Sequence, residues 1–288
     1  MTQPAPVARS TPGRLHGATQ RIGRAAVAAL YDELALAPKP GLVSFVDSGS
    51  HADMDARTFM RSLFALRHAF PRLAALGAAG ADFAALADAG RAAEHTMLAA
   101  TGGINTHRGA IFSLGLLCAS AGALQAQQLP PTPDRLRQTL LDHWGPSLAA
   151  RPRSAVPSHG AQAARAHALR GANAEAVAGF PVLFETTFPA LQTALQQGLT
   201  VETARLQAFF ATLAVLADTN LVHRGGLAGL RWARAAARAW LQGGGAARPD
   251  AVVHAAALHR EFVARRLSPG GSADMLAAAC WLQRVTAR

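Results

Sequence analysis

From Thr19 onward the chain repeats apolar residues three and four positions apart, cut into lengths by glycine and proline. Ile22, Ala26, Ala29, Leu30 and Leu34 show the pattern first, until Pro38, Pro40 and Gly41 end it. That spacing lines one face of an α-helix and does not suit the two-residue alternation of a half-buried strand. It predicts further helices over 55–76, 82–100, 109–128, 133–143, 160–170, 180–197, 201–222, 227–242, 249–267 and 273–285. Composition agrees: 68 Ala and 36 Leu stand against 14 Val, 3 Ile and 1 Tyr, which favours helix formers and leaves little for strands. The expected fold is all-α, a single globular domain of about ten helices over residues 19–288, with functional loops between them and no fixed repeat. Residues 144–159, rich in Pro and Ser, read as a loop inside that domain. Residues 1–18 read as a disordered leader: they are Arg-rich and acid-free, but Pro4, Pro6 and Pro12 spoil an amphipathic helix and no apolar stretch follows. The expected location is cytoplasmic.

Charge narrows the partners. The chain carries a net charge of +11, from 27 Arg and one Lys (Lys39) against 17 acids. Residues 1–30 hold 4 Arg and no acid, and residues 224–288 hold 10 Arg and 3 acids, so the middle is neutral. A basic C-terminal third suits a polyanion, either nucleic acid or a multiply phosphorylated small molecule. The single Lys and the lack of aromatic clusters argue against nucleic acid. The longest apolar run, Ala110 to Leu124, is interrupted by Ser and Gly and is shorter than the roughly 20 residues a bilayer requires, so no membrane span is expected. Cys118 and Cys280 lie far apart in apolar helical runs and read as reduced core residues.

Polar residues and glycines gather at five loops. PKPGLV occupies 38–43 and GSHADMD 49–55, where His51, Asp53 and Asp55 lead into a helix. Asp53 or Asp55 at that place is either a helix N-cap or part of a proton- or metal-handling group. ATGGINTHRGA runs from 100 to 110: Thr101, Gly102 and Gly103 allow an exposed backbone turn, and Asn105 or Thr106 can cap the next helix beside His107 and Arg108. This is either a phosphate cradle or a plain helix connection with a glycine cap; it is no Walker A loop. Glu94 adds a carboxylate one to two turns upstream. GANAEAVAGFP at 171–181 carries Glu175. DTNLVHRGG at 218–226 ends an apolar stretch with Asp218, Asn220, His223, Arg224, Gly225 and Gly226, and SPGGSADMLA at 268–277 carries Ser268, Gly270, Gly271, Ser272 and Asp274, with Ser272 expected as an N-cap.

In this order and at these separations, PKPGLV, GSHADMD, TGGINTHRGAIFSLG, DTNLVHRGG and SPGGSADMLA resemble the triphosphoribosyl-dephospho-CoA synthases, which make the prosthetic-group precursor of citrate lyase and of malonate decarboxylase. The similarity covers about residues 25–286. One segment departs from it: 171–176 reads GANAEA where the family more usually has Gly-x-Arg-Gly-Glu-Ala, so Asn173 and Ala174 replace an Arg-Gly pair, whose contact is either absent or supplied by Arg170.

The resemblance implies that ATP gives up adenine while its triphosphoribosyl unit moves to the 2′-hydroxyl of 3′-dephospho-CoA. The product then passes to a transferase acting on an acyl carrier protein. The product's α link, made from a β one, implies a single displacement at C1′ through an oxocarbenium-like transition state. On this footing Asp53 and Asp55, with Glu175, are the expected catalytic carboxylates. Glu94 and Asp218 are expected to ligate Mg²⁺. Lys39, His107, Arg108 and Arg224 would hold phosphates beside Gly102 and Gly103. Thr101, Asn105, Thr106, Asn220, His223, Gly225, Gly226, Ser268, Gly270, Gly271 and Asp274 complete the substrate contacts, and His51 lies among them. A homodimer is compatible with this composition. A metal-dependent nucleotide hydrolase, with water in place of the acceptor, and a non-catalytic RNA binder remain the rival classes.

Overall fold

A computed structural model describes residues 12–150, 159–167 and 169–287. Among these the fold is all-α, with no strand. The helices are α1 (Pro12–Ala35), α2 (Ala56–Leu66), α3 (Ala69–Ala78), α4 (Phe83–Ala100), α5 (Arg108–Ala126), α6 (Pro133–Ala149) and α7 (His159–Ala166). Then follow α8 (Ala172–Val177), α9 (Phe188–Gln196), α10 (Val201–Val215), α11 (Thr219–Gln242), α12 (Ala251–Ala264) and α13 (Gly270–Thr286). The part of the expected leader that is described, 12–18, is helical, because Pro12 is tolerated at a helix's first position, where no amide hydrogen bond is lost; residues 1–11 lie outside the described ones. The expected loop over 144–159 is helical up to Ala149, and residues 151–158 lie outside the described ones.

Three helix boundaries differ from the periodicity for local reasons. The helix expected over 55–76 breaks at Arg67–His68, which places Pro71 in the first turn of α3, where its missing N–H costs nothing. The helix expected over 201–222 stops at Val215, because Asp218 caps a new one. The break expected near Gly226 survives as a kink inside α11, where Gly226 has φ +61° and ψ −168°. A single π-helical turn, Leu183–Thr187, precedes α9, whose Pro189 lacks the amide a regular turn would use there.

The middle of the molecule is α5, apolar on every side and packed against α1, α3, α4, α6 and α13. It is long and apolar enough to cross a membrane by length and composition, contrary to the expectation from its interrupted run, and most of it is buried in the protein. Its close neighbours are admitted by glycines: a Cβ on Gly122 would run into the Ala74 carbonyl of α3, and one on Gly77 into the Ala119 carbonyl of α5. The C-terminal helix α13 inserts between the α1–α5 layer and α10, and Trp281 Nε1 donates to the Ile22 carbonyl at 3.2 Å. One contiguous apolar cluster runs from Ile22 to Leu282. Cys118 and Cys280 are buried free thiols within it, as their surroundings in the sequence suggest; burial pushes Cys280 up to about 12.

Candidate active site

The packing of α13 between α5 and α10 brings three helix N-termini together, those of α5, α11 and α13. Asp218 caps α11: its Oδ1 accepts from the Asn220 amide at 3.0 Å. Its Oδ2 accepts from the Ser272 amide at 2.9 Å and the Ser272 hydroxyl at 3.1 Å. One buried carboxylate therefore serves two helices, and Ser272, expected as the cap of its own helix, instead lies inside the first turn of α13 and donates to Asp218. The two glycines before it leave the required room. A Cβ at Gly271 would sit 3.2 Å from the Asp218 carboxylate, and one at Gly270 would sit 2.8 Å from Asn220 Nδ2.

Asp274, half-buried on the same turn, reaches across to α5. It accepts a hydrogen bond from the Ala110 amide, and a Cβ on Gly109 would collide with its Oδ2. The helix N-terminus favours the carboxylate's negative charge. Burial outweighs it and, together with the negative charges of Asp218 and Glu33, raises the Asp274 carboxyl well above the ordinary range. Asp218 is also raised by burial, while the amides of Ser272, Asn220 and Gly271 pull it back down. The negative charge of Asp218 thus makes ionisation of Asp274 harder than that of an isolated carboxyl.

Glu33 pairs with Lys39. The Lys39 ammonium donates to both the carboxylate and the carbonyl of Glu33, and burial lowers its pKa. The loop around it is pinned from outside by His259, whose Nδ1 donates to the Lys39 carbonyl at 2.8 Å and whose Nε2 lies 3.1 Å from Asp47. Lys39 is therefore buried and taken up by Glu33, which leaves its amine turned away from the phosphates it was expected to hold. His107 departs in the same way. Burial and the charge of Lys39 lower it to about 3, so it is neutral and brings no positive charge to a phosphate. Its Nδ1 shares a 2.7 Å hydrogen bond with Ser62 Oγ, which accepts from Thr106 Oγ1 at 2.9 Å, and its ring meets Phe59 edge-on at 4.9 Å. Its Nε2 is buried without a hydrogen-bond partner.

Above this floor lies a polar rim. Arg224 of α11 donates to His51 Nδ1 at 3.0 Å and to the Ser50 carbonyl at 3.1 Å. With Nδ1 accepting, His51 Nε2 carries the proton and donates to Ser268 Oγ at 2.9 Å. Burial and Arg224 hold His51 at about 4, neutral, as that arrangement needs. Ser50 Oγ donates to the Leu267 carbonyl at 2.6 Å, so the loop 49–55 is laced to the turn before α13. Asp53 stands exposed on this rim, 3.6 Å from His51 Nδ1. Gly225 lies against Leu267, where a Cβ would come within 2.5 Å of Cδ2, while His223 faces outward beside it.

Other expected site residues have local structural roles. Asp55 is the N-cap of α2, accepting from the Thr58 amide at 2.8 Å and its hydroxyl at 2.9 Å; these bonds lower its pKa and make it a poor base. Gly102 and Gly103, at φ +67° and +88°, close α4: the Gly103 amide donates to the Leu98 carbonyl at 2.8 Å, a Schellman cap, so that amide is not offered to an anion. Thr101 Oγ1 donates to the Ile104 carbonyl at 2.6 Å, and Asn105 Oδ1 accepts from the Arg108 amide at 3.1 Å. Glu175 is buried on α8, facing Arg170 at 3.6 Å, with α8 packed on α6; the structure gives it no contact with Asp218 or Asp274. Burial raises its carboxyl. Asn173, one of the departures, donates from Nδ2 to the Leu148 carbonyl at 3.2 Å.

The expected metal ligands do not assemble. Glu94 is bound to Arg108 at 3.0 Å, and the Asp218 oxygens are already filled by amide and hydroxyl donors. No group of three or more ligating side chains forms among the described residues. The pair does not fit a protein-held Mg²⁺.

Sequence reasoning passed over Glu33 and Ser62. Glu33 had a signal: it falls four after Ala29 and three after Leu30, on the buried face of α1, where an acid demands a partner. Ser62 had none beyond its place four residues after Thr58.

With this geometry in hand, a family model described as CitG, ATP:dephospho-CoA triphosphoribosyl transferase, matches residues 19–288. No solved structure matches the chain.

Proposed function

Because the chain belongs to the ATP:dephospho-CoA triphosphoribosyl transferase family, we propose that it moves the triphosphoribosyl unit of ATP onto the 2′-hydroxyl of 3′-dephospho-CoA and releases adenine. The observation that carries this reading is the family match over residues 19–288. The acid pair Asp218–Asp274 at three helix N-termini supplies a site for its chemistry.

In the reaction the C1′–N9 bond of ATP breaks and a C1′–O2′ bond forms. Adenine is a poor leaving group unless protonated. Asp274, whose carboxyl is raised well above the ordinary range by burial and by the charges of Asp218 and Glu33, gives its proton to the departing base. Asp218, beside it, lends negative charge to the oxocarbenium-like sugar. Asp53, exposed on the rim, takes the proton of the incoming 2′-hydroxyl. Arg224 and Arg108, on either side, face the triphosphate. His51, Ser268 and Asn220 frame the ribose. A divalent cation brought in with the triphosphate would neutralise part of its charge; no residue of this site is assigned to hold it. The product serves either citrate lyase or malonate decarboxylase.

The test incubates the purified protein with ATP, Mg²⁺ and dephospho-CoA while following free adenine and the mass of the nucleotide product. Adenine that appears only with the acceptor, one for each triphosphoribosylated product, is the expected result. Adenine or phosphate released without acceptor would replace this reading with a nucleotide hydrolase.

A further inference from the structure

On the outer face of α2 lies an open groove of about 610 Å³, a volume within the range of small-molecule sites. Its walls are almost wholly apolar, from Phe45, Met60, Phe64 and Ala100, and two guanidinium-bearing residues, Arg57 and Arg61, stand within it. Phe45 is 50% and Phe64 64% exposed, so the groove presents aromatic surface to solvent that the core does not use. Its position is particular. Phe45 belongs to the loop that begins with Lys39, Ala100 directly precedes the Thr101–Gly103 turn, and Arg57 follows the Asp53–Asp55 segment. An apolar trough flanked by two arginines one turn apart on α2, the first of them two residues after Asp55, matches a ligand with an uncharged, flexible arm attached to a diphosphate.

Resting on the function proposed above, we propose that this groove seats the pantetheine arm of dephospho-CoA, with Arg57 and Arg61 on its diphosphate. This directs the acceptor's ribose toward Asp53. The apolar walls take the arm's methyl and methylene groups out of water. The guanidiniums pair with phosphate oxygens in the bidentate geometry Arg favours. A groove holding only the acceptor leaves Arg108 and Arg224, which do not line it, to the triphosphate of the other substrate.

The experiment compares wild type with Phe64→Asp and with Arg57→Ala/Arg61→Ala. These side chains are not part of the buried core, and circular dichroism confirms folding. Steady-state transfer is measured while each substrate is varied, calorimetry titrates dephospho-CoA into each protein, and sedimentation gives its mass. The expected result is a KM for dephospho-CoA raised tenfold or more in both variants, with kcat and the KM for ATP unchanged. Turnover with an unmoved KM for dephospho-CoA would overturn the groove assignment and leave the transfer reading standing. Calorimetric binding that depends on Phe64 in a protein without turnover would keep the groove and overturn the transfer reading. Neither turnover nor Phe64-dependent binding would overturn both. A change of sedimenting mass in Phe64→Asp without a kinetic change would make the groove a face between copies of this chain, which also overturns the assignment.

Discussion

Lys39 shows how much a residue's role depends on what is buried around it. In the sequence it is the one Lys of a basic chain, next to a glycine turn, and it reads as a phosphate ligand. In the fold its ammonium is consumed by Glu33, which the helical spacing of α1 turns inward. Replacing Lys39 with Met strands the Glu33 carboxylate in the interior, and breaking one side of a buried pair costs about 3–5 kcal/mol. Thermal unfolding of Lys39→Met is expected to fall by roughly 6–20 °C, with the KM for ATP at permissive temperature unchanged; a raised KM at unchanged stability would return Lys39 to the phosphates. Asp274 gives a second prediction at this scale. As the proton donor it must be protonated, so kcat falls as pH rises through its elevated pKa. The pH profile should therefore show an alkaline limb that Asp274→Asn lacks, read from initial rates with both substrates saturating. A limb that survives in Asp274→Asn belongs to another group.

At the scale of elements, most helices were legible, because periodicity and Ala-rich composition agree; the short α8 was not, its residues having read as part of the loop at 171–181. Boundaries failed where a capping or proline requirement overrode the apolar pattern, as with Pro71 and Asp218. What periodicity cannot reveal is which helix serves which: Asp218 holds the first turn of α13, 54 residues away. Glycines carry that missing information once the helices are placed. Gly109 admits Asp274, and Gly122 admits the Ala74 carbonyl, and the two call for different outcomes. Gly122→Ala must push α3 and α5 apart, and overpacking of this kind costs about 1–3 kcal/mol, seen as a lower denaturation midpoint with residual activity in the folded fraction. Gly109→Ala displaces the Asp274 carboxylate instead. It should lower turnover at least tenfold while the midpoint hardly moves, as enzyme assays beside denaturant titrations would record. Equal loss of stability in both variants would mean that Asp274 yields without consequence for the site.

For the whole molecule, the site is assembled from positions as far apart as Glu33 and Asp274, and its quality depends on α13 being inserted between α5 and α10. The sequence made the set of loops legible through their motifs, and the family follows from them. It left the division of labour hidden, since a cap, a buried ion pair and a catalytic acid use the same residue types. Asp55 and Gly103 turned out to serve backbone amides and carbonyls, and Glu94 an arginine. Asp218 and Asp274, expected as a metal ligand and a ribose or adenine contact, are the acid pair of the proposed function. The most direct test of that reassignment is kcat for adenine release by Asp274→Asn in the complete transfer assay, beside a melting curve of the same preparation. The account predicts a loss of at least about 10²-fold, the scale of a missing general acid, at a melting temperature equal to or above that of wild type. Turnover within a factor of a few of wild type would contradict it.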